Sequence, residues 1–509
     1  MVALVTGCVS DDSNVQDSGT KDQSVTDSGG NDGTVTDGPA SDGDAAAVDP
    51  TWTVALPARS ALYGVATDNN GNVYVAGQLQ APLSLAPINI ASTQGLDVFI
   101  AKFDGKTKLP VWGVTYGGAG DDVAYGLAWT PNGLFITGTS NGASAKFGSQ
   151  TVIFPSSNGT VSTHSFFARI DPSDGSVGWA ISPDANRATY LNHSSFCWSV
   201  AGSGASFSIG CNYTGASFSW DASHFAWDTG GANAYAVFHF TDALYGPTAQ
   251  WTKSLACPTG TMGLAPAIAM DAGGDTWVGG TFRGATAALK DEPSGTQILA
   301  GTANANPFVL KIANGTQAIA PAMSWAADST NLIPTTVWNV VATPSRVFAG
   351  GQFITNGANG NFGKGAVTSQ GFDMYALGLG TTALDTQWAY TQGGAGLDAI
   401  HGLASDGTTT YAGISWGSPA LMFGATTLPD PASSTVASGI GKIDNTGAPV
   451  SALAVKSAAA SVRVWDVRLG PSAVYAVGYY GGDTTWDDGT NATGNSTDGN
   501  GFMMRRPKF

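Results

Sequence analysis

Charge is scarce in this chain. Of 509 residues only 11% are charged, and the basic ones are the rarer, 21 Lys and Arg against 37 Asp and Glu, for a formal charge of -16. Nucleic acid is a poor partner for such a surface, because neutralising phosphates takes clustered cations. Histidine and cysteine are rarer still, with five and four residues. The histidines, at 164, 193, 224, 239 and 401, show no metal-ligand spacing. Neither a Gly-x-Ser-x-Gly phrase nor a phosphate-cradling glycine loop precedes a segment that reads as a helix. Nor is there a run of about 18 apolar residues that could cross a bilayer as a helix. The chain thus reads as all-β, rich in turns, and without a catalytic signature.

What is abundant is glycine, 69 residues, and a phrase that recurs along the chain. Tyr74-Val75-Ala76-Gly77, a strand ended by glycine, is followed after a polar gap by Phe99-Ile100-Ala101-Lys102, an aromatic strand with a basic residue. Inner strands are expected to begin near Tyr63, Tyr125, Trp198, Pro266, Trp338, His401 and Trp465, and second strands to end at Gly77, Gly138, Cys211, Gly280, Gly351, Gly413 and Gly478. Turns such as Asp68-Asn69-Asn70-Gly71-Asn72 join them as hairpins. Third strands fall at 97–103, 165–170, 234–240, 306–312, 373–379, 438–443 and 501–506. A fourth is marked by Trp112, Trp179, Trp251, Trp325 and Trp388, and lies near 449–455 without a tryptophan in unit six. Unit seven stops after its third strand, and 51–56 at the other end of the repeat supplies the missing fourth. The expectation is an all-β, seven-bladed β-propeller over residues 50–509, closed by its N-terminal strand so that no sheet edge is left open.

Residues 9–49 precede it. Between 11 and 50 the chain has ten Asp, one Lys and no aromatic residue, with near-repeats such as Thr26-Asp27-Ser28-Gly29 and Thr36-Asp37-Gly38. Such a segment cannot bury enough apolar surface to offset its ordering entropy, so a disordered tether is expected. At residues 1–8, Val5-Thr6-Gly7-Cys8 resembles a bacterial lipobox, which implies lipidation of Cys8 and a start codon upstream of Met1. The chain would then be extracytoplasmic, a surface lipoprotein or a secreted protein, touching the membrane through its lipid alone.

A second resemblance lies in the repeat itself. Gly64-Val65-Ala66-Thr67-Asp68, Gly71-Asn72-Val73-Tyr74-Val75-Ala76-Gly77, Asp97-Val98-Phe99-Ile100-Ala101-Lys102 and Gly117-Gly118-Ala119-Gly120-Asp121-Asp122 resemble the bacterial SBBP β-propeller repeat, and Gly393-Gly394-Ala395-Gly396-Leu397-Asp398 repeats its last phrase. That family implies an exported propeller and no defined activity. Segment 171–179 is similar to the tryptophan-docking strands of quinoprotein dehydrogenases, but the Gly-Lys-x-x-Trp phrase of that family does not recur.

Four sets of residues invite a role. The ring-bearing residues that open the inner strands are a candidate sugar-stacking platform, yet each is two positions from an apolar residue such as Val65 or Leu127, so strict alternation assigns them to packing between blades. Lys102, Arg169, His239, Lys311, Lys442 and Arg505 recur in the third strand and are expected to pair with acids or water. Asp121, Asp122 and Asp398 are candidate Ca²⁺ ligands, or else bond their own glycine-rich turns. Cys197 and Cys211 fall opposite each other on adjacent strands, a hairpin disulfide for which Cys257 is an alternative partner. The expected function is a monomeric, non-enzymatic binding or adhesion platform for a protein or glycan at the cell surface. The alternatives are a hydrolase, lyase or oxidoreductase with its site at the channel mouth, and a calcium-stabilised structural module.

Overall fold

Runs of five to eight β-branched and aromatic residues, broken by Asp, Asn and Gly, fold most readily as antiparallel hairpins, because the turn residues reach positive φ at low cost. In the computed structural model this is what the chain does. Residues 50–509 are described apart from 93–94, 155–162, 184–193, 215–217, 221–224, 227–232, 244–245, 258–259, 265, 284–287, 293, 302–304, 326–334, 356–359, 432–434, 458–460 and 495–498. Among the described residues there is no helix. Cys8 and the tether lie outside them.

Five separate blades stand in a propeller-like ring. Their inner strands are Asp122–Thr130, Ser194–Ser203, Ala267–Met270, Thr336–Ala342 and Ala399–Ser405, and in each blade the second, third and fourth strands follow outward, antiparallel throughout. A further, nine-stranded sheet contains Val462–Leu469, Ala473–Tyr480 and Asn500–Pro507 and also Val73–Leu79, Asp97–Phe103 and Pro110–Gly118. The long strand Trp52–Thr67 joins the two groups. Its first residues pair with the end of the chain, Trp52 opposite Arg505 and Ala55 opposite Phe502, and its last pair with Val73–Leu79. Hydrophobic clusters fill the spaces between neighbouring sheets, as where Tyr74 and Ile100 meet Leu127 and Phe166.

The hairpin turns are held from within. Asp68 accepts the backbone N–H of Asn70 and Asn72, each at 2.9 Å, around Gly71 at φ +83°. Asp271 and Asp444 repeat the device. The second-to-third connections, which carry no strand periodicity in the sequence, each form a small hairpin, for example Ser144–Phe147 with Gln150–Ile153. Some of these reach the preceding blade. Lys146 pairs with Gly117, Asp291 with Leu255 and Thr485 with Lys456.

One irregularity recurs and positions everything that follows. In six units the register of the inner hairpin slips by one residue, and the residue left out is Tyr63, Tyr125, Trp198, Trp338, His401 or Trp465. Such a bulge draws the two backbones together. A Cβ on Gly77, Gly138, Gly351 or Gly478 would stand 1.8–2.0 Å from the carbonyl oxygen of Ala61, Val123, Thr336 or Arg463. The repeated glycine at the end of the second strand is therefore the partner of the bulge. Unit three replaces it with Cys211, bridged to Cys197 across the same pair of strands with 4.0 Å between their Cα atoms. Cys257 is buried outside the bridge, its thiol toward the carbonyl of Arg283. In unit six Ile414, one residue beyond Gly413, faces the bulge.

Candidate functional site

The bulges overturn the expectation that the inner-strand rings pack between blades. A bulge adds one residue and so reverses the alternation beyond it. Val65 goes to the core, whereas the ring two positions earlier, Tyr63, turns to the axis. There Tyr63, Tyr125, Trp198, Trp338, His401 and Trp465 wall a single pocket. They touch one another around it. Ring centroids are 5.1 Å apart for Tyr63 and Tyr125, 4.9 Å for Tyr125 and Trp198, 6.3 Å for Trp198 and Trp338, 5.5 Å for Trp338 and His401, 4.6 Å for His401 and Trp465, and 6.0 Å for Trp465 and Tyr63. Pro266 also lines the pocket, between the strands of Trp198 and Trp338.

The pocket has a volume of about 90 Å³. Below it a wider channel of about 280 Å³ is lined by residues two to four positions further along the same strands, Leu127, Val200 and Arg468 bordering both. Beside it, on the Pro266 side, a groove of about 450 Å³ runs past Trp198, Phe196, Asn212 and Leu264.

Several polar atoms in the pocket wall meet no hydrogen-bond partner among the described residues: Nε1 of Trp338 and of Trp465, Oδ1 of Asn339 and Nδ1 of His401. Buried polar atoms normally find a partner, so this concentration is a departure from ordinary packing. Burial, with the positive charge of Arg463 behind it, pushes the His401 imidazole down to about 3, and the ring is neutral at physiological pH. The acid in the wall, Asp466, is already engaged. It accepts Arg468 Nη1 at 2.8 Å and the N–H groups of Val65 at 3.1 Å and Val467 at 2.9 Å.

The three aspartates considered for Ca²⁺ lie elsewhere, outside the wall of this pocket, and Asp398 is in a different unit from the other two. Asp121 is exposed and accepts Leu96 N–H and Asn141 Nδ2, both at 3.2 Å. Asp122 is buried and accepts Gly118 N–H at 2.7 Å. Asp398 accepts the N–H of Gly394 at 3.0 Å and Gly417 at 3.1 Å, and the Ser418 hydroxyl at 2.6 Å. Among the described residues no three His, Cys, Asp or Glu side chains converge as a metal site would require. Sequence reasoning missed that the two buried ones have acidic partners. Asp97 stands by Asp122 around Gly117, and Asp373 by Asp398 around Gly393.

These pairs have a consequence for stability. Burial, reinforced by Asp398, pushes Asp373 up to about 7, and burial pushes Asp122 up to about 6. The fold favours the neutral acids, so their contribution is full below about pH 4 and is lost as pH rises through 6 to 7. Asp373→Asn, neutral at every pH, is expected to raise Tm by a few degrees at pH 8 and to leave it unchanged near pH 4. An equal effect at both pH values would mean that the repulsion is absent.

The recurrent basic residues are spread one to a blade and engaged locally. Arg169 pairs with Asp242 at 3.1 Å, Lys311 with Asp275, and Lys102 Nζ reaches Pro172 O at 3.2 Å. His239 lies flat on Trp251 at 4.9 Å.

No family model matches the chain, and no curated protein does. Solved structures similar to it include the quinohemoprotein alcohol dehydrogenase of Comamonas testosteroni, 12% identical over 89% of this chain and 76% of that one, with a TM-score of 0.36. The endosialidase of phage phi92 is 7% identical over 90% of this chain and 69% of that one, with a TM-score of 0.39. A quinohemoprotein alcohol dehydrogenase of Pseudomonas putida HK5 is 11% identical over 90% and 76%, with a TM-score of 0.32. These likenesses are too distant to bear on activity.

Proposed function

We propose that the protein is a seven-bladed propeller, closed by its N-terminal strand, that acts as a monomeric, non-enzymatic binding platform with its ligand seat in the axial aromatic pocket. Seven hydrophobic clusters support the blade count. Each joins consecutive units, and one, with Trp52 and Val65 beside Tyr475 and Met503, joins the last unit to the first. Support for closure comes from the pairing of Trp52–Thr67 with strands of both groups in the nine-stranded sheet. Export and anchoring through Cys8 at a cell surface agree with the Cys197–Cys211 bridge, which suits an oxidising compartment.

The observation that carries the binding role is the ring of six bulge-borne side chains around a pocket in whose wall four polar atoms meet no partner among the described residues. Large aromatic faces with a few convergent polar groups are what a small-ligand site needs. For hydrolysis, a pair of carboxyl groups about 5–9.5 Å apart is the usual requirement in glycosidases. Among the described wall residues the acid is Asp466, and it is committed to Arg468. Binding is thus favoured over catalysis.

Calorimetric screening of glycans and small polar molecules against the full chain tests the reading. Ligands are expected whose affinity falls at least roughly tenfold in Trp338→Ala and in Trp465→Ala, with the fold retained, as for a central aromatic anchor. Ligands indifferent to both substitutions would overturn the axial seat, and conversion of the bound ligand would move the protein to the enzyme class.

A further inference from the structure

Charge at the rim of the pocket narrows the choice of ligand. Arg463 lies two residues ahead of Trp465 on the same strand, the place that Phe196 holds relative to Trp198 in unit three. Phe196 stands against Tyr125 and Trp198 at 5.1 and 5.0 Å and lines the side groove, so this repeat position lies beside the pocket wall. The Arg463 guanidinium stands over the Trp465 ring, 5.8 Å from its centroid, and close enough to His401 for its charge to be felt there. Its Nε is buried and meets no acceptor among the described residues. Arg468 is paired with Asp466 at 2.8 Å, and Arg506 and Arg505 are bonded into the sheet.

We infer that the axial pocket seats a sugar ring bearing a carboxylate, the terminal residue of an acidic glycan, with Arg463 holding the carboxylate; this rests on the reading of the pocket as a ligand seat. Stacking on Trp and Tyr faces provides for the ring. The indole N–H groups of Trp338 and Trp465, Nε of Arg463 and Oδ1 of Asn339 are buried without a partner among the described residues, and a small turn of these side chains would give a ligand's oxygens and hydroxyls three donors and one acceptor. An arginine matches a planar carboxylate in a fork that no other side chain provides. Size agrees. About 90 Å³ compares with the 10–15 Å³ that one water takes by the same measure, enough for a single six-membered ring and its hydroxyls. The next residue of the glycan would leave past Trp198, which borders both the pocket and the groove of Phe196, Asn212 and Leu264. A net charge of -16 on the protein disfavours a polyanion and suits one acidic residue at the end of a largely neutral chain.

The test uses glucuronate- and galacturonate-terminated disaccharides, each beside its carboxyl methyl ester, titrated calorimetrically into the full chain and into Arg463→Gln. For at least one sugar the acid is expected to bind about tenfold or more tightly than the ester, the scale of one charge-assisted hydrogen bond. Arg463→Gln should bring acid and ester to the same affinity and leave the ester unmoved. Trp465→Ala should weaken both. Equal binding of acid and ester by the unaltered protein, or a preference that survives Arg463→Gln, overturns the carboxylate assignment while leaving the aromatic seat. Binding of neither sugar, where the wider screen finds another ligand sensitive to Trp338→Ala, removes the glycan and keeps the seat.

Discussion

Arg506→Ala is expected to cost about 3–5 kcal/mol, the usual effect of removing one partner of a buried ion pair. Domain stabilities are about 5–15 kcal/mol, so a large fraction of the total would go. The side chain is 1% exposed and ties three parts of the structure together. Its Nε stands 2.9 Å from both carboxylate oxygens of Asp487, in the hairpin region of the last unit. Nη1 donates to the carbonyl oxygens of Trp52 and Arg505 at 2.9 and 2.8 Å, and Nη2 reaches Thr53 Oγ1 at 3.2 Å. Thr53 in turn donates to Asp488 at 2.8 Å. Alanine would leave two carboxylates without their cation and the opening of Trp52–Thr67 without its clamp. Arg506→Lys should recover only part, because one ammonium cannot serve acceptors on three sides. Denaturant unfolding checks this, and a midpoint unchanged in Arg506→Ala would mean that the backbone pairing of Trp52 with Arg505 suffices.

The second large effect is expected from reduction of Cys197–Cys211. The bridge encloses a 14-residue separation, for which chain entropy gives about 3 kcal/mol. Its position makes the effect local as well as global. Cys197 adjoins Trp198, and in four other units the place of Cys211 is held by a glycine whose hydrogen lets the bulge close. Unit three reaches the same tight approach by a covalent bond. Reduction, or Cys197→Ser, should lower Tm and also weaken any ligand of the axial pocket, since Trp198 loses its fixed bulge. Thermal melts with and without reductant, followed by titration below the lowered Tm, separate the two. Weakened stability with full affinity would show that Trp198 is held by its stacking on Tyr125 and Phe196.

Much of the architecture was legible because repetition amplifies weak signals. Asp-Asn-Gly turns and third strands such as Asp97–Phe103 appear where the spacing placed them, whereas the second strands run two or three residues past the glycine expected to end them, Val73–Leu79 beyond Gly77 and Gly133–Ser140 beyond Gly138. The fourth strand of unit six, Pro449–Ser457, was found without a tryptophan to mark it. The site was not legible, for a definable reason. Period-2 reasoning assumes an unbroken pleat, and one added residue at Tyr63 or Trp465 inverts the face of everything beyond it. The signal that could have revealed it was the second-strand glycine, which reads as a strand end but is the mark of a bulge opposite. The small outer hairpins were hidden differently. Strands of two to five residues, as in Met422–Phe423 or Leu83–Leu85, are too short to show a period. The partners of Asp122 and Asp398 were also missed, because Asp97 and Asp373 come from the previous unit's third strand, some 25 residues earlier, a distance that no local motif spans.

The strand Trp52–Thr67 sets a timetable for the chain. The bond from Arg506 to Thr53 spans 453 residues, so the first stretch of the domain to emerge from a ribosome or a translocation channel waits for the last before it is paired. Sheets between them can form as they appear, each on its neighbour, but Trp52–Thr67 stays unpaired along its opening residues until Asn500–Pro507 arrives. A polypeptide truncated before Asn500 would therefore expose unpaired edges on Trp52–Thr67 and on Ala473–Tyr480 at once, and quality-control proteases would meet two open strand edges rather than a slightly shortened end.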